Sequence, residues 1–445
     1  MEKEVNEARY IKWFSELNKD SIPIAGGKGA NLGEMYNLKL PIPPGFVITA
    51  QAFAHFIKEA DLKEKIKEIL EDTDIDDTTE LQENSAKIRE LIENSELPQD
   101  LKQEILNAYS QLDINRDALE HSEGIAHEIL KRSIERTFVA VRSSATTEDL
   151  ADASFAGQQE TFVNVKGDTQ LIESFKKCCA SLYTARAVYY RKKKGFREDK
   201  SLLAVVVQKM VNSDKSGVIF SRDPVKDKGD LIIEAVFGLG EGIVSGAIKP
   251  DHYIYNRQTK KISGFIADKQ IAITRDSAGD TKQIKLTPQK SKELVLTEAE
   301  IQRLAQYALK LEEHYHHPQD IEFAIEFGDI YILQTRPITT IKREETESER
   351  AEIKGEIILT GLAASGGIAS GPVKIVRSLE DLRKIKKGDV LVTTMTNPDM
   401  VVTMQRSAAI VTDEGGMTAH AAIVSREMGI PAVVGTNNAT KKLKD

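Results

Sequence analysis

Apolar residues recur at spacings of three and four through Phe53, Phe56 and Ile57, through Ile88, Leu91 and Ile92, and through Ile125, Ile129 and Leu130, with Glu and Lys between them. That period lays an apolar stripe along one side of a helix, so residues from about 51 to 136 read as a helical region with solvated outer faces. Before it, Leu32, Met35 and Leu38 predict a short helix after a glycine turn at 25–31. Pro41, Pro43, Pro44 and Gly45 stop that helix ahead of a strand at 46–49. After it come strand patterns at 138–141, 160–165 and 202–211, the last continuously apolar like a buried strand, with a helical stretch at 169–193. Shorter β signals follow at 217–220, 231–234 and 253–255. A helix from 298 to 314 then leads into two strands, 321–325 and 330–335, joined by a turn at 326–329. Residues 342–354 are almost all charged or polar and read as an inter-domain linker. The Val/Ile/Gly-rich remainder contains a strand, glycine turn, helix, Gly-Pro stop and second strand over 409–434. The order of elements is that of an α+β chain.

Length adds domain count: 445 residues suffice for two or three domains. The 61 Lys and Arg against 69 Asp and Glu leave a formal charge of −8, spread along the chain, which favours neither a nucleic-acid nor an anionic-membrane surface. Cys178 and Cys179 are adjacent and cannot staple the fold, no window approaches a membrane span, and the first residues lack a signal-peptide core. A cytoplasmic protein is expected.

Several groups carry possible chemistry. Lys28 stands among Gly26, Gly27 and Gly29, where backbone N–H groups and an ammonium can approach a polyphosphate together, although a plain turn has the same composition. Arg142 leaves an apolar strand into Ser143, Ser144, Thr146 and Thr147; its planar fork suits phosphate oxygens, or it is satisfied by Glu148 or Asp149. The glycines between 238 and 246 read as a loop over a ligand. On the later hairpin, Gln334 and Arg336 share a strand face, and with Glu322 they make either a Mg²⁺-triphosphate site or structural ion pairing. His314, His316 and His317 fit a helix C-terminus better than a transition-metal site. His420 falls in the first turn of its helix, where the dipole favours an attached anion and a neutral, nucleophilic imidazole; Thr418 can hydrogen-bond the ring. Gly415, Gly416, Ala419, Ala421 and Ala422 leave space around it, whereas a core histidine would be packed.

Read together, GGKGANLGEM near the start, VRSSATTEDLADASFAGQQETF, QDIEF with LQTRPIT, and GGMTAHAAIVSREMGIPAVVG resemble the ATP-binding and phosphohistidine domains of the phosphoenolpyruvate synthase (pyruvate, water dikinase) family, over nearly the whole chain. The resemblance implies an ATP-grasp domain over residues 1–341, a linker at 342–356, and a swivelling β/β/α phosphohistidine domain over 357–445 that normally adds one or two strands after Val434. It further implies that Lys28 and Arg142 contact the ATP phosphates with Thr161 beside them, and that Gln208, Lys209, Met210 and Val211 border the adenine. Glu322 and Gln334 would hold Mg²⁺, Arg336 would face the γ-phosphate, and His420 would accept the phosphoryl group. ATP is the implied substrate. Pyruvate and phosphoenolpyruvate would be served by a barrel domain absent from these 445 residues, and a homo-oligomer is compatible. Ala419 stands where relatives often carry Ser or Cys. Pyruvate, phosphate dikinase shares this architecture; a rifamycin phosphotransferase would place another domain between the two. A non-catalytic nucleotide sensor would have no use for His420.

Overall fold

The computed structural model describes residues 10–75, 77–112, 136–146, 160–193, 195–196, 201–224, 229–244, 248–276, 279–338, 356–397, 400–417 and 419–445. Outside them fall the stripe at Ile125, Ile129 and Leu130, the polar run 147–159, the charged stretch 342–355, and Thr418. The chain divides into two compact units, Met1–Val211 with Ser277–Asp280, and Asn212–Asp276 with Thr281–Asp445.

In the first unit, β1 (Ile11–Trp13), β2 (Gly45–Ile48), β3 (Val139–Ala145), β4 (Thr161–Val165) and β5 (Leu203–Lys209) form an antiparallel sheet in the order β1-β2-β5-β3-β4. The unbroken apolar run of β5 is explained by its place between β2 and β3, buried on both faces. The helices Ala50–Glu59, Lys63–Glu71, Thr78–Asn94, Gln99–Leu112 and Asp168–Ser181 turn their apolar stripes into one core that includes Phe46, Phe56, Ile88, Leu101, Phe175 and Val205. The helical stretch expected over 169–193 is helical in two pieces, Asp168–Ser181 and Ala185–Lys193. Tight bonds from Tyr183 N to the Ala180 carbonyl and from Thr184 N to the Ser181 carbonyl close the first. The Thr184 hydroxyl, accepting from Ala187 N, opens the second.

The second unit holds β6 (Lys215–Phe220), β7 (Leu231–Phe237), β8 (Asp251–Tyr255), β9 (Ile262–Phe265), the pair β10 (Ile271–Arg275) and β11 (Thr281–Lys285), and the hairpin β12 (Gln319–Glu326) and β13 (Asp329–Pro337). Six of these make an antiparallel sheet in the order β13-β12-β6-β7-β8-β9. Phe327 (φ 50°) and Gly328 (φ 87°) close the hairpin with two positive φ angles, the turn whose twist matches paired strands. Within the glycine stretch expected as a loop over a ligand, Gly238 (φ 80°) bridges to Ile273 and Glu241–Val244 form a short helix, while 245–247 lie outside the described residues.

A third sheet follows in the order β14-β18-β17-β16-β15, from β14 (Leu362–Ser365), β15 (Val373–Val376), β16 (Val390–Thr393), β17 (Ala409–Thr412) and β18 (Ala432–Val434). The pairs from β15 to β18 are parallel, and β14 is an antiparallel edge. Its core is continuous with the six-stranded sheet: Val218, Phe220, Ile232 and Ile338 share one apolar cluster with Met400, Met404, Ile410, Met417, Ala421, Ala422 and Val424. The C-terminal lobe is therefore seated on one face of that sheet. No helix of the described residues is long and apolar enough to cross a membrane.

Candidate functional site

In the first unit, Ser144 of β3 fixes the glycine turn. Its hydroxyl donates to the Ala25 carbonyl at 2.8 Å and accepts from Gly29 N at 3.2 Å. The turn is not separate from the helix behind it: the helix Ile22–Asn37 contains it and bends at Gly26 (φ 66°), where a Cβ would strike the Ser144 backbone. Arg142 lies two residues before Ser144, hence on the same face of β3, and stands directly opposite Thr161 of β4. The sheet thus gathers the Lys28 turn, Arg142 and Thr161. Gln208 is buried on β5 and donates to the Pro43 carbonyl at 3.3 Å; Lys209 N and Met210 N donate to Pro44 and Phe138, each at 2.9 Å, and Val211 is buried beyond.

The second unit arranges its polar residues in two rows fixed by strand register. Gln334, Glu322, Val218, Glu234 and His252 stand opposite one another across β13, β12, β6, β7 and β8. The neighbouring row runs Arg336, Asp320, Phe220, Ile232 and Ile254. Residues directly opposite in a sheet share a face, so all ten project to the same side, the side on which the C-terminal lobe is seated. Both readings of the hairpin therefore have a physical counterpart. Glu322 and Gln334 sit side by side with oxygen atoms suited to a hard cation, while Arg336 is ion-paired to Asp320, at 2.8 Å from Nε and 2.7 Å from Nη2. Burial pushes the Asp320 carboxyl above the ordinary aspartate range, against the pull of Arg336.

The lobe brings its histidine loop to this face. Glu234, 1% exposed, accepts from Met417 N at 3.4 Å, lies 3.5 Å from His252 Nδ1, and lines Gly416, where a Cβ would stand in ordinary van der Waals contact with its carboxylate. His420 is the first residue of the helix His420–Met428, with Ala419 at the cap; Gly429 (φ 64°) ends it before Pro431, as the sequence pattern required. The ring is partly buried, its Nδ1 is 2.8 Å from the Thr396 hydroxyl, and its Nε2 is covered from solvent. The dipole at the head of that helix favours a phosphoryl group on the ring. His316 takes the left-handed position that ends the helix Glu298–Tyr315, and among the described residues no group of His, Cys, Asp and Glu is placed to hold a metal by itself.

Asp320, Glu234 and Thr396 were not among the residues singled out by sequence. Glu234 carried a visible signal, an acid inside the apolar run 231–236; Asp320 and Thr396 gain meaning only through register and lobe packing.

Comparison with known proteins gives a match to the family described as pyruvate phosphate dikinase, AMP/ATP-binding domain, over residues 22–356, and to PEP-utilising enzyme, mobile domain, over 385–445. A protein named probable phosphoenolpyruvate synthase from Archaeoglobus fulgidus is 52% identical over 439 residues, covering 98% of this chain and 56% of that one. The phosphoenolpyruvate synthase of Pyrococcus furiosus is 46% identical over 479 residues, covering 98% of this chain and 57% of that one. The chain thus spans little more than half the length of these relatives. Among solved structures, D-alanine–D-alanine ligase from Helicobacter pylori aligns with 50% of this chain and 45% of its own at 13% identity and a TM-score of 0.22, too slight a likeness to bear on the fold.

Proposed function

The chain belongs to the pyruvate phosphate dikinase AMP/ATP-binding family, and from that premise we propose that it performs the ATP-dependent half of a phosphoenolpyruvate synthase reaction, with His420 as phosphoryl acceptor. On this reading residues 1–341 are an ATP-grasp nucleotide-binding domain, 342–356 a linker, and 357–445 a swivelling carrier that serves pyruvate at a separate barrel domain. Lys28 and Arg142 contact the ATP phosphates, with Thr161 beside Arg142. Gln208–Val211 border the adenine, and since Lys209 and Met210 already donate their amides, the base meets carbonyl oxygens there. Glu322 and Gln334 hold Mg²⁺, which supplies neutralising charge to the polyphosphate. Arg336 turns from Asp320 to the γ-phosphate.

The histidine acts as a neutral imidazole. Nδ1–H donating to Thr396 leaves the lone pair on Nε2, which attacks the β-phosphorus; the N–P bond forms as the bond from that phosphorus to the α-phosphate's bridging oxygen breaks, and AMP departs with the oxygen. Water then attacks the γ-phosphorus, releasing orthophosphate and leaving one phosphoryl group on the ring. Thr418 is a second candidate hydrogen-bond partner for that group.

One observation carries this reading: His420 heads a helix, with its Nδ1 engaged by Thr396, on a loop seated at the sheet face that bears Glu322, Gln334 and Arg336. Incubation with Mg²⁺ and ATP labelled separately at the β and γ positions tests it. AMP and acid-labile β-label on His420 are expected, with γ-label released as orthophosphate, and His420→Ala should bind ATP but form no AMP. Intact ATP and an unmodified ring in the unsubstituted chain would reject the proposal.

A further inference from the structure

Arg426 lies six residues beyond His420 on the same helix, and its side chain runs back toward the helix start, as helical side chains do. There its guanidinium forks between two segments. Nη2 donates to the Met417 carbonyl at 2.9 Å, in the loop that precedes His420, and Nη1 donates to the Ala364 carbonyl at 3.2 Å, on β14. The same group stands 5.9 Å from the Phe220 ring centre. Phe220 is the register partner of Asp320, which is the partner of Arg336, so Arg426 stands against that row at Phe220, two strands from Arg336. We propose that Arg426 is a positioning residue for phosphoryl transfer: it fixes the histidine loop through Met417 and couples that loop to the Asp320–Arg336 pair of the hairpin.

The coupling follows from charge. Asp320 carries one carboxylate and faces two guanidinium groups, Arg336 in direct contact and Arg426 within electrostatic range. Burial, with the positive charge of Arg336 adding to it, pushes Arg426 down to about 10, while Asp320, Glu234 and Glu427 pull the other way. A phosphate that draws Arg336 away leaves the Asp320 charge to Arg426, tightening the fork on the loop at the moment the histidine is needed. A lysine cannot reproduce this, because a single ammonium has no planar fork to reach both carbonyls.

The inference rests on His420 as acceptor, and the test separates the two claims. Arg426→Lys and Arg426→Gln are compared with the unsubstituted chain by equilibrium ATP binding, by the rate of β-label transfer to His420 at saturating MgATP, and by amide exchange across residues 415–422 with and without Mg²⁺ and α,β-methylene-ATP. ATP affinity should stay within about twofold while the transfer rate falls roughly tenfold in the lysine variant and roughly a hundredfold in the glutamine variant, the scale of one or two lost charged hydrogen bonds. Exchange across the loop should quicken in both variants, and the analogue should slow it only in the unsubstituted chain. Equal transfer rates, affinity and rate falling together, or unchanged loop exchange would each overturn the role of Arg426. If the glutamine variant does not fold, the lysine variant decides. Failure of the unsubstituted chain to label His420 rejects the acceptor reading instead, and loop exchange still judges the fork.

Discussion

A neutral imidazole has two tautomers, and only one leaves Nε2 able to attack. The Thr396 hydroxyl 2.8 Å from Nδ1 selects that tautomer when it accepts the Nδ1 proton. Thr396→Val keeps the shape of the side chain and removes the acceptor, so the rate of histidine phosphorylation should fall roughly tenfold at unchanged ATP affinity, with Thr396→Ser restoring most of it. Single-turnover transfer of β-label measures the rate; an unaffected Thr396→Val chain would show that the ring is oriented by something else. His420 itself was legible in sequence because a glycine pair, small neighbours and a helix start surround it within a dozen residues. Thr396 was not, since it lies on a different segment and meets the ring only through tertiary packing. The same holds for Asp320, whose tie to Arg336 is a cross-strand contact fixed by the register of β12 on β13.

At the scale of elements, local signals read well where one segment decides the outcome. The hairpin turn needed two residues tolerant of positive φ, and its four-residue link between apolar runs was visible; the helix His420–Met428 announced both of its ends. The break at residues 182–184 was hidden because apolar spacing continues across it, and the bend at Gly26 because it is imposed by Ser144, far along the chain. The helix Glu298–Tyr315 shows how an end is secured. Thr297 and Glu300 form a reciprocal cap, and Lys215 of β6 donates to both Glu300 oxygens at 2.8 and 2.9 Å. Burial alone would raise the Glu300 pKa, but the bonds from Lys215 and Thr297 outweigh it and hold the group below its ordinary value. A lowered carboxylate pKa stabilises the fold above the ordinary carboxylate range and ceases to do so as pH falls through the folded-state value. Glu300→Gln should therefore cost about 1–3 kcal/mol near neutral pH, and the difference from the unsubstituted chain should shrink below about pH 4. Denaturant midpoints across pH check this, and a pH-independent difference would mean the cap, not the charge, carries the effect.

For the whole second unit, the proposed carrier role has to be reconciled with a lobe that is seated on the sheet. Val218, Phe220, Ile232 and Ile338 are buried with the lobe's Met400, Met404 and Met417, and exposing such side chains costs on the order of 1.5–3 kcal/mol each. Spontaneous departure is accordingly rare, and something in the reaction must lower the cost. On the proposed function, phosphorylation of His420 would supply it. The modified ring would bring negative charge into a seat that already holds Glu234 against the loop, with Asp320 and Glu322 on the same sheet face; like charges out of water repel strongly. Seating is thus expected to be tight before transfer and loose after it. Ile232→Cys places a thiol under the lobe, while the native Cys178 and Cys179 are fully buried and contribute little background. Its reaction with a thiol reagent should be slow in the resting chain and with Mg²⁺ and α,β-methylene-ATP, and should speed up at least about tenfold after MgATP has phosphorylated His420. A labelling rate that does not change on phosphorylation would mean that the lobe stays on its sheet, and that the carrier movement of the proposed function does not begin with its release.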